Sequence, residues 1–117
     1  MTPPMTEERR VELWHGRDHN GTRSIWAVLL PDGRLKIEGQ DLGRGVAIWG
    51  EGLSEYEWDW TVAAADVPRL VEILGGREGD DPLALLTAWS TDSGGRDPGQ
   101  HLKGAGLVIE FWSRVGD

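Results

Sequence analysis

The strongest hydrophobic pattern in the chain spans residues 53–75, which read LSEYEWDWTVAAADVPRLVEILG. In the first part of this segment aromatic and acidic residues alternate, so a β-strand would place them on opposite faces. The aromatic face has Tyr56, Trp58, Trp60 and Val62, and the acidic face has Glu55, Glu57 and Asp59. A slip of one residue would bury the carboxylates, which is strongly unfavourable without partners. We therefore expect the register of this strand to be well fixed.

The second part of the same segment has the spacing of an amphipathic helix. Its apolar positions are Val67, Leu70, Val71 and Leu74. Pro68 suits the first turn of a helix, and Gly75 suits its C-terminal end. Two later Asp-Pro pairs predict two more helices, because Asp caps a helix and Pro fits its first turn. One begins at Asp81 and ends near residue 89 or 90, and the other begins at Asp97 and ends near residue 104 or 106.

Other apolar segments predict further strands at residues 9–14, 24–30, 34–39 and 107–112. The second of these is continuously apolar, which favours a well-buried strand, and the Pro-Asp-Gly that follows it predicts a hairpin turn. We expect the last strand to insert into the sheet. Residues 16–22, 40–52 and 91–96 are polar or rich in glycine and predict loops, the middle one with a short edge strand at 46–49.

Together these elements predict an α+β fold, in which an antiparallel sheet of four to six strands carries two or three helices on one face. A chain of 117 residues is long enough to bury a substantial core in one domain. We expect a single domain over residues 1–117, with residues 1–8 as a frayed tail because they are polar and contain proline.

The acidic strand face has two interpretations. Arg34 and Lys36 share one face of the predicted strand that follows the hairpin turn. If that strand lies beside the acidic one, these basic side chains would sit across from its carboxylates, although exposed cross-strand pairs contribute at most about 1 kcal/mol. In the other interpretation the acidic residues stay unpaired and are available to a basic partner.

Composition disfavours several classes of function. Twenty acidic against twelve basic residues give a formal net charge of -8, which argues against nucleic acid because such binding depends on Lys and Arg. The same charge would attract a basic protein. The absence of cysteine removes disulfides, thiol nucleophiles and cysteine-ligated metals. No segment resembles a signal peptide or reaches the roughly 18 apolar residues of a membrane span, so we expect a cytoplasmic protein with no membrane partner.

No pattern in the sequence points to catalysis. The glycines form no nucleotide-binding motif, and the serines lie outside GxSxG and SxxK contexts. His15, Asp18 and His19 have metal-binding side chains, but they fall in a predicted loop with no further ligand nearby. Acidic residues two apart on a strand are about 7 Å apart, as in inverting glycosidases, yet any exposed acidic strand has this spacing. We predict no catalytic residue, metal or cofactor, and the balance favours a protein that is not an enzyme.

The seven tryptophans are the feature that most suggests binding. Most of them are expected to fill the core of a small domain. Trp49 lies in a glycine-rich segment and Trp112 precedes a polar tail, so we expect these two to be partly exposed, as interface anchors often are. A tryptophan platform can also bind sugars or cationic groups. The candidate partner-binding residues are Trp49, Glu51, Glu55, Glu57, Asp59 and Trp112.

Three segments resemble a group of small uncharacterised actinobacterial proteins. They are LPDGRLKIEGQDLG at 30–43, EYEWDWTV with the DVPRLVEILGG that follows it at 55–76, and EFWSRVGD at 110–117. The resemblance implies a single cytoplasmic domain and transfers no functional residue. In size, acidity and α+β pattern the chain is also similar to immunity proteins that neutralise basic toxin domains, a similarity that rests on no motif.

These patterns leave two functions open. The first is a small acidic protein-binding module for a basic partner, with an immunity-type inhibitor of a basic toxin as one form of it. It would use the acidic strand face and the glycine-rich segment. The alternative is a small-molecule-binding protein or minor enzyme whose pocket lies between the helices and the sheet and is lined by Trp89 or Trp112. The oligomeric state is left open.

Overall fold

The structure of the protein, a computed structural model, describes residues 8–18, 21–43 and 55–116. Within these residues five strands form one antiparallel sheet in sequential order. The strands are β1 Arg9–Asp18, β2 Gly21–Leu29, β3 Leu35–Leu42, β4 Glu55–Val62 and β5 Glu110–Gly116. Between β4 and β5 lie a 3₁₀ turn at Ala64–Asp66 and the helices α1 Val67–Ile73, α2 Pro82–Ser93 and α3 Pro98–Gly104. The expected α+β fold is confirmed.

The helices cover one face of the sheet, which we call the inner face. The buried side chains of this face and of the helices form a single hydrophobic cluster. Its main members are Ile25, Ala27, Leu35, Ile37, Trp58, Trp60 and Val62 from the strands and Leu70, Val71, Leu83, Leu86 and Leu102 from the helices. The aromatic face predicted for β4 is therefore the core face. None of the described helices has the length and apolar character needed to cross a membrane.

The indole ring of Trp58 lies directly over Gly39 of the neighbouring strand. The two residues are paired across β4 and β3, and a Cβ atom on Gly39 would lie 2.0 Å from two ring atoms of Trp58. Gly39 has no positive φ, so its small size rather than its backbone freedom is what the site requires. Every other residue of β3 carries a Cβ, and the contact therefore fits a single register of β3 against β4.

A second tryptophan, Trp60, anchors α3 to the sheet. Its Nε1 donates a hydrogen bond of 2.9 Å to Oδ2 of Asp97, while Oδ1 of Asp97 accepts one of 2.8 Å from the N–H of Gly99. One carboxylate thus caps the helix and holds a core indole. Burial raises the pKa of Asp97, and the two hydrogen bonds oppose this by lowering it.

Several predicted boundaries need correction. The loop expected at 16–22 is mostly strand, because β1 and β2 pair as far as Asp18 and Gly21. The loop expected at 91–96 is partly helix: α2 continues through Ser93, where Thr91 and Ser93 hydroxyls bond to carbonyls of the preceding turn. Gly94, with φ of 72°, ends the helix. The segment 46–49 and the tail residues 1–7 lie outside the described residues.

The last strand is shifted along the chain and lies at an edge. It spans Glu110–Gly116 rather than 107–112, because Leu107 lies in the turn that follows α3, where its N–H bonds to the carbonyl of Leu102. The strand pairs with β4 and is the last in the described sheet. It therefore adds to the sheet from the side and does not insert between other strands.

Replacing Gly39 with alanine should lower the free energy of unfolding by about 1–3 kcal/mol, because the new methyl group must displace a buried indole ring. Urea denaturation followed by tryptophan fluorescence measures this difference. Gly104→Ala is the matched control, since nothing lies within 4 Å of a Cβ atom at that position and alanine favours a helix. Equal losses in the two variants would contradict the register contact.

Asp97→Ala should also lower the free energy of unfolding, by about 1–3 kcal/mol, because it removes the helix cap and leaves the indole N–H of Trp60 without its acceptor. The same denaturation measurement applies, with Asp92→Ala on the exposed face of α2 as the control. Asp97→Asn retains one oxygen acceptor and should lose less. A loss no greater than that of the control would show that the double role of Asp97 is wrong.

Candidate functional site

The face of the sheet opposite the helices, which we call the outer face, carries the acidic residues of β4. Strand alternation places Glu55, Glu57 and Asp59 there, and all three are half-buried. The residues that face them from the neighbouring strands are Leu42, Gln40 and Glu38 on β3 and Gly116, Arg114 and Trp112 on β5. None of the described helices covers this side, so these side chains form an open surface of the described part of the domain.

Of the two interpretations of the acidic face, direct cross-strand pairing with Arg34 and Lys36 is not found, although burial raises the pKa of Asp59 and the charge of Lys36 partly opposes that shift. The register places Lys36 opposite Thr61, and Arg34 bonds instead to Asp32 in the hairpin turn at 2.8 Å. Glu38, which is also acidic, lies directly opposite Asp59. The register follows the packing of aromatic side chains in the core, because exposed ion pairs contribute less than burial of such residues.

Four residues form one row across the outer face, each paired in register with the next. They are Trp26 on β2, Glu38 on β3, Asp59 on β4 and Trp112 on β5. Neighbouring strands are about 4.8 Å apart, so the two tryptophan backbones are separated by roughly 14 Å, with both carboxylates between them. These four residues line a groove of about 300 Å³ together with Gln40 and Glu57.

The carboxylates of the groove are unequally neutralised. Nη1 of Arg10 lies 3.1 Å from Oε2 of Glu38, and Nη2 of Arg114 lies 3.2 Å from Oε2 of Glu57. Asp59 has no ion-pair partner among the residues that the structure describes. Burial raises the pKa of Asp59; Lys36 opposes this shift, and Glu38 adds to it. Asp59 is therefore the carboxylate that gains most from an added cation.

Glu55 and Glu57 form a second acidic pair at the side of the groove. A hydrogen bond between the two carboxyl groups raises the pKa of Glu57 and lowers the pKa of Glu55. Gln40 donates a further hydrogen bond to Glu55 at 3.1 Å. These carboxyl groups are in contact and do not hold the separation of about 7 Å that would leave room for a water between them.

The other residues singled out in the sequence have different surroundings. Trp112 is 49% exposed, as expected, whereas Trp49 and Glu51 lie outside the described residues. Trp89 stacks on His101 with ring centroids 5.1 Å apart, so it joins α2 to α3 on the other side of the sheet from Trp112. A pocket between the helices and the sheet therefore cannot include Trp112.

The histidine segment before β2 takes part in strand pairing. Nδ1 of His15 lies 2.9 Å from the hydroxyl of Ser24, the residue opposite it on β2. His19 and the side chain of Asp18 lie outside the described part of the chain. Within that part there is no cluster of three or more side chains that could hold a metal ion.

Trp26 and Glu38 are the groove residues that sequence reasoning missed. Trp26 belongs to a continuously apolar segment, whose uniform character hides which side chains face outward. Its position two residues after Ser24 was the available signal, since alternation puts a polar serine and Trp26 on the same face. Alternation with Leu35 and Ile37 puts Glu38 on the polar face of its strand, but its place opposite Asp59 depends on a register that the sequence does not display.

The arrangement can bind a cationic group. Two indole rings offer cation–π contacts, and the opposed carboxylates offer charge in a partly desolvated groove. Like charges directly opposite one another on a sheet are destabilising, by up to about 1 kcal/mol, and Arg10 neutralises only the Glu38 side of this pair. Comparisons with protein-family models, curated proteins and solved structures find no match to the chain. The chemistry of the groove is therefore the basis for assigning a function.

Asp59→Asn should raise the free energy of unfolding at pH 7 by up to about 1 kcal/mol, because it removes a charge that is partly desolvated and is repelled by Glu38. The gain in free energy of unfolding should be smaller at acidic pH. The pKa of Asp59 is higher in the folded protein than in the unfolded chain, so its ionisation weakens the fold as pH rises through the folded value. Below the unfolded value the carboxyl group is neutral in both states and the gain should be nearly absent.

Urea denaturation at several pH values between acid and neutral tests this expectation. Glu78→Gln is the control, because it changes the net charge equally at an exposed turn far along the chain from the groove. A wild-type protein more stable than Asp59→Asn at neutral pH would show that ionised Asp59 stabilises the fold, and the expectation would be wrong.

Proposed function

We propose that this protein is a small acidic binding module that captures a basic protein on its outer sheet face, with a cationic side chain of the partner seated in the groove. The row of Trp26, Glu38, Asp59 and Trp112 carries this proposal. It combines aromatic faces with a carboxylate that lacks an ion-pair partner within the described residues. A net charge of -8 would draw a basic partner toward this face.

An arginine side chain suits the groove better than a lysine side chain. A planar guanidinium can donate to two carboxylates at once and stack against an indole ring, whereas an ammonium acts as a compact point charge. Placed between Glu38 and Asp59, a guanidinium would convert a repulsive cross-strand pair into a bridged one. The free energy lost to that repulsion in the free protein would then be recovered on binding.

The size and openness of the site favour a protein partner over a free small molecule. A volume of about 300 Å³ is at the lower limit of pockets for drug-sized ligands and suits one inserted side chain. The surrounding surface continues the same chemistry through Glu55, Glu57 and the half-exposed Trp112. A central aromatic anchor within a polar rim is the usual composition of a protein interface.

Neutralisation of a basic toxin domain is the form of this function that the small size and acidity favour. Such an inhibitor needs fast association, which charge complementarity supplies, and a surface large enough to cover a partner's working site. The likeness to such inhibitors is one of size and charge. The groove itself is proposed for any partner that presents an exposed arginine within a basic surface.

Titration with an arginine-rich peptide at low salt, followed by tryptophan fluorescence, tests the groove. Asp59→Asn should weaken binding on the order of tenfold, because the unpaired carboxylate is lost, while Glu78→Gln should leave it nearly unchanged. Added salt should weaken wild-type binding. Equal affinities of the two variants would mean that the peptide responds only to net charge, and the groove would be rejected as its site.

The same titration with a lysine-rich peptide and with free guanidinium separates the possible ligands. The proposal expects the arginine peptide to bind more tightly than either. Free guanidinium binding as tightly as the peptide would overturn the protein-binding function in favour of a small-molecule one. A low-salt pull-down with the wild type and Asp59→Asn as paired baits should recover a basic protein with the wild type only.

A further inference from the structure

The two edge strands of the described sheet differ in their protection. Along β1 the register shifts between Glu12 and Trp14, which is a β-bulge, and α2 packs against the strand. The exposed side chains at its start are Arg9 and Arg10. Bulges, charges and covering elements are the features that keep an edge strand from pairing with another chain.

The other edge, β5, carries one charge of each sign, Glu110 and Arg114, and lacks a bulge over its described residues. It pairs with β4 without a register shift, and residues 110–114 contain neither proline nor lysine. Phe111 on the inner face is 50% exposed, and Trp112 on the outer face is 49% exposed. The rings of Phe111 and Trp60 are in contact, with centroids 4.5 Å apart, yet half of the surface of Phe111 remains exposed to solvent. Pairing with another strand would remove apolar surface from water on both faces.

The charges of β5 are arranged to match a second copy of the same strand. In an antiparallel pair centred on Trp112, residue 110 of one copy lies opposite residue 114 of the other, and residue 112 lies opposite itself. Glu110 then faces Arg114 twice, once on each side of the centre. Glu110 has no ion pair among the described residues of its own chain, so the second copy would supply one.

The faces of the two sheets restrict the choice of register. A two-fold axis perpendicular to the sheet keeps both outer faces on the same side, so an outer residue must lie opposite another outer residue. The neighbouring registers that satisfy this rule place Trp112 opposite Glu110 or opposite Arg114 of the partner copy. Neither forms the two ion pairs, and only the register centred on Trp112 does.

We propose that two copies of this chain pair antiparallel along β5, with the two-fold axis at Trp112, to form one continuous sheet. This interaction is separate from capture of a basic partner and does not depend on it. The arrangement would bring two grooves onto the same side of the joined sheet. A partner with two suitable arginines would then be bound bivalently, with a gain from effective concentration.

Sedimentation at increasing protein concentration tests the pairing, with a mass rising from 12.9 kDa toward twice that value. Glu110→Arg and Arg114→Glu should each place two like-charge pairs across the interface and raise the dimer dissociation constant on the order of tenfold. The double variant, with both substitutions, should restore pairing. Because Arg114→Glu and the double variant both lose the contact of Arg114 with Glu57, their comparison isolates the charges across the interface.

Disulfide trapping tests the register independently, since the chain has no cysteine of its own. Trp112→Cys places two cysteines directly opposite each other, within the Cβ separation that a disulfide needs. Val108→Cys is the control, because Val108 is 77% exposed but lies before β5. Trp112→Cys should form a covalent dimer faster under mild oxidation.

Three outcomes would overturn the pairing along β5. They are a monomer mass at every concentration, a double charge variant that pairs no better than the single ones, and equal trapping at the two cysteine positions. Peptide binding is measured separately, with the wild type, Asp59→Asn and Glu78→Gln. A wild type that stays monomeric but binds the peptide through Asp59 would reject only the dimer, and a wild type that dimerises but binds the peptide no better than Asp59→Asn would reject only the proposed function.

Discussion

The packing of Trp58 on Gly39 is the contact on which the rest of the structure depends. It can form only where β3 lacks a Cβ atom, so it selects one register between the two central strands of the meander. The same register brings Trp60 to the position where its N–H reaches Asp97 and holds α3 against the sheet. A steric fit in the core thus determines where a helix docks and which side chains meet on the opposite face.

On the outer face the same register brings two carboxylates together. It places Glu38 opposite Asp59, whereas Lys36 lies opposite Thr61 and forms no ion pair with Asp59 among the described residues. The core decides the alignment because burying large aromatic side chains is worth more than exposed ion pairs. Arg10 neutralises only the Glu38 side of the carboxylate pair, so we expect Asp59 to reduce stability in the free protein and to favour an added cation. Functional sites often contain such unfavourable arrangements, so a substitution that stabilises the fold there commonly weakens function.

The tryptophans divide between these two roles according to the face of the sheet on which they lie. Trp58 and Trp60 build the core and position α3, whereas Trp26 and Trp112 stand at either end of the acidic row. Trp112 also lies on β5, which is an edge of the described sheet and has no bulge over its described residues. The groove and this edge therefore meet at one residue, and a dimer along β5 would place two grooves side by side.

The sequence by itself determined the elements and their faces. Alternation in residues 55–62 was enough to assign Trp58 and Trp60 to the core and Asp59 to solvent, and the Asp-Pro pairs located α2 and α3, because these signals depend only on neighbouring residues. The tertiary structure alone decided what each strand lies beside. Trp26 and Glu38 joined the groove, and β5 became an edge, through pairings between distant segments. Such pairings depend on contacts between distant residues, such as the packing of the Trp58 ring on Gly39, and no local pattern in the sequence shows these contacts.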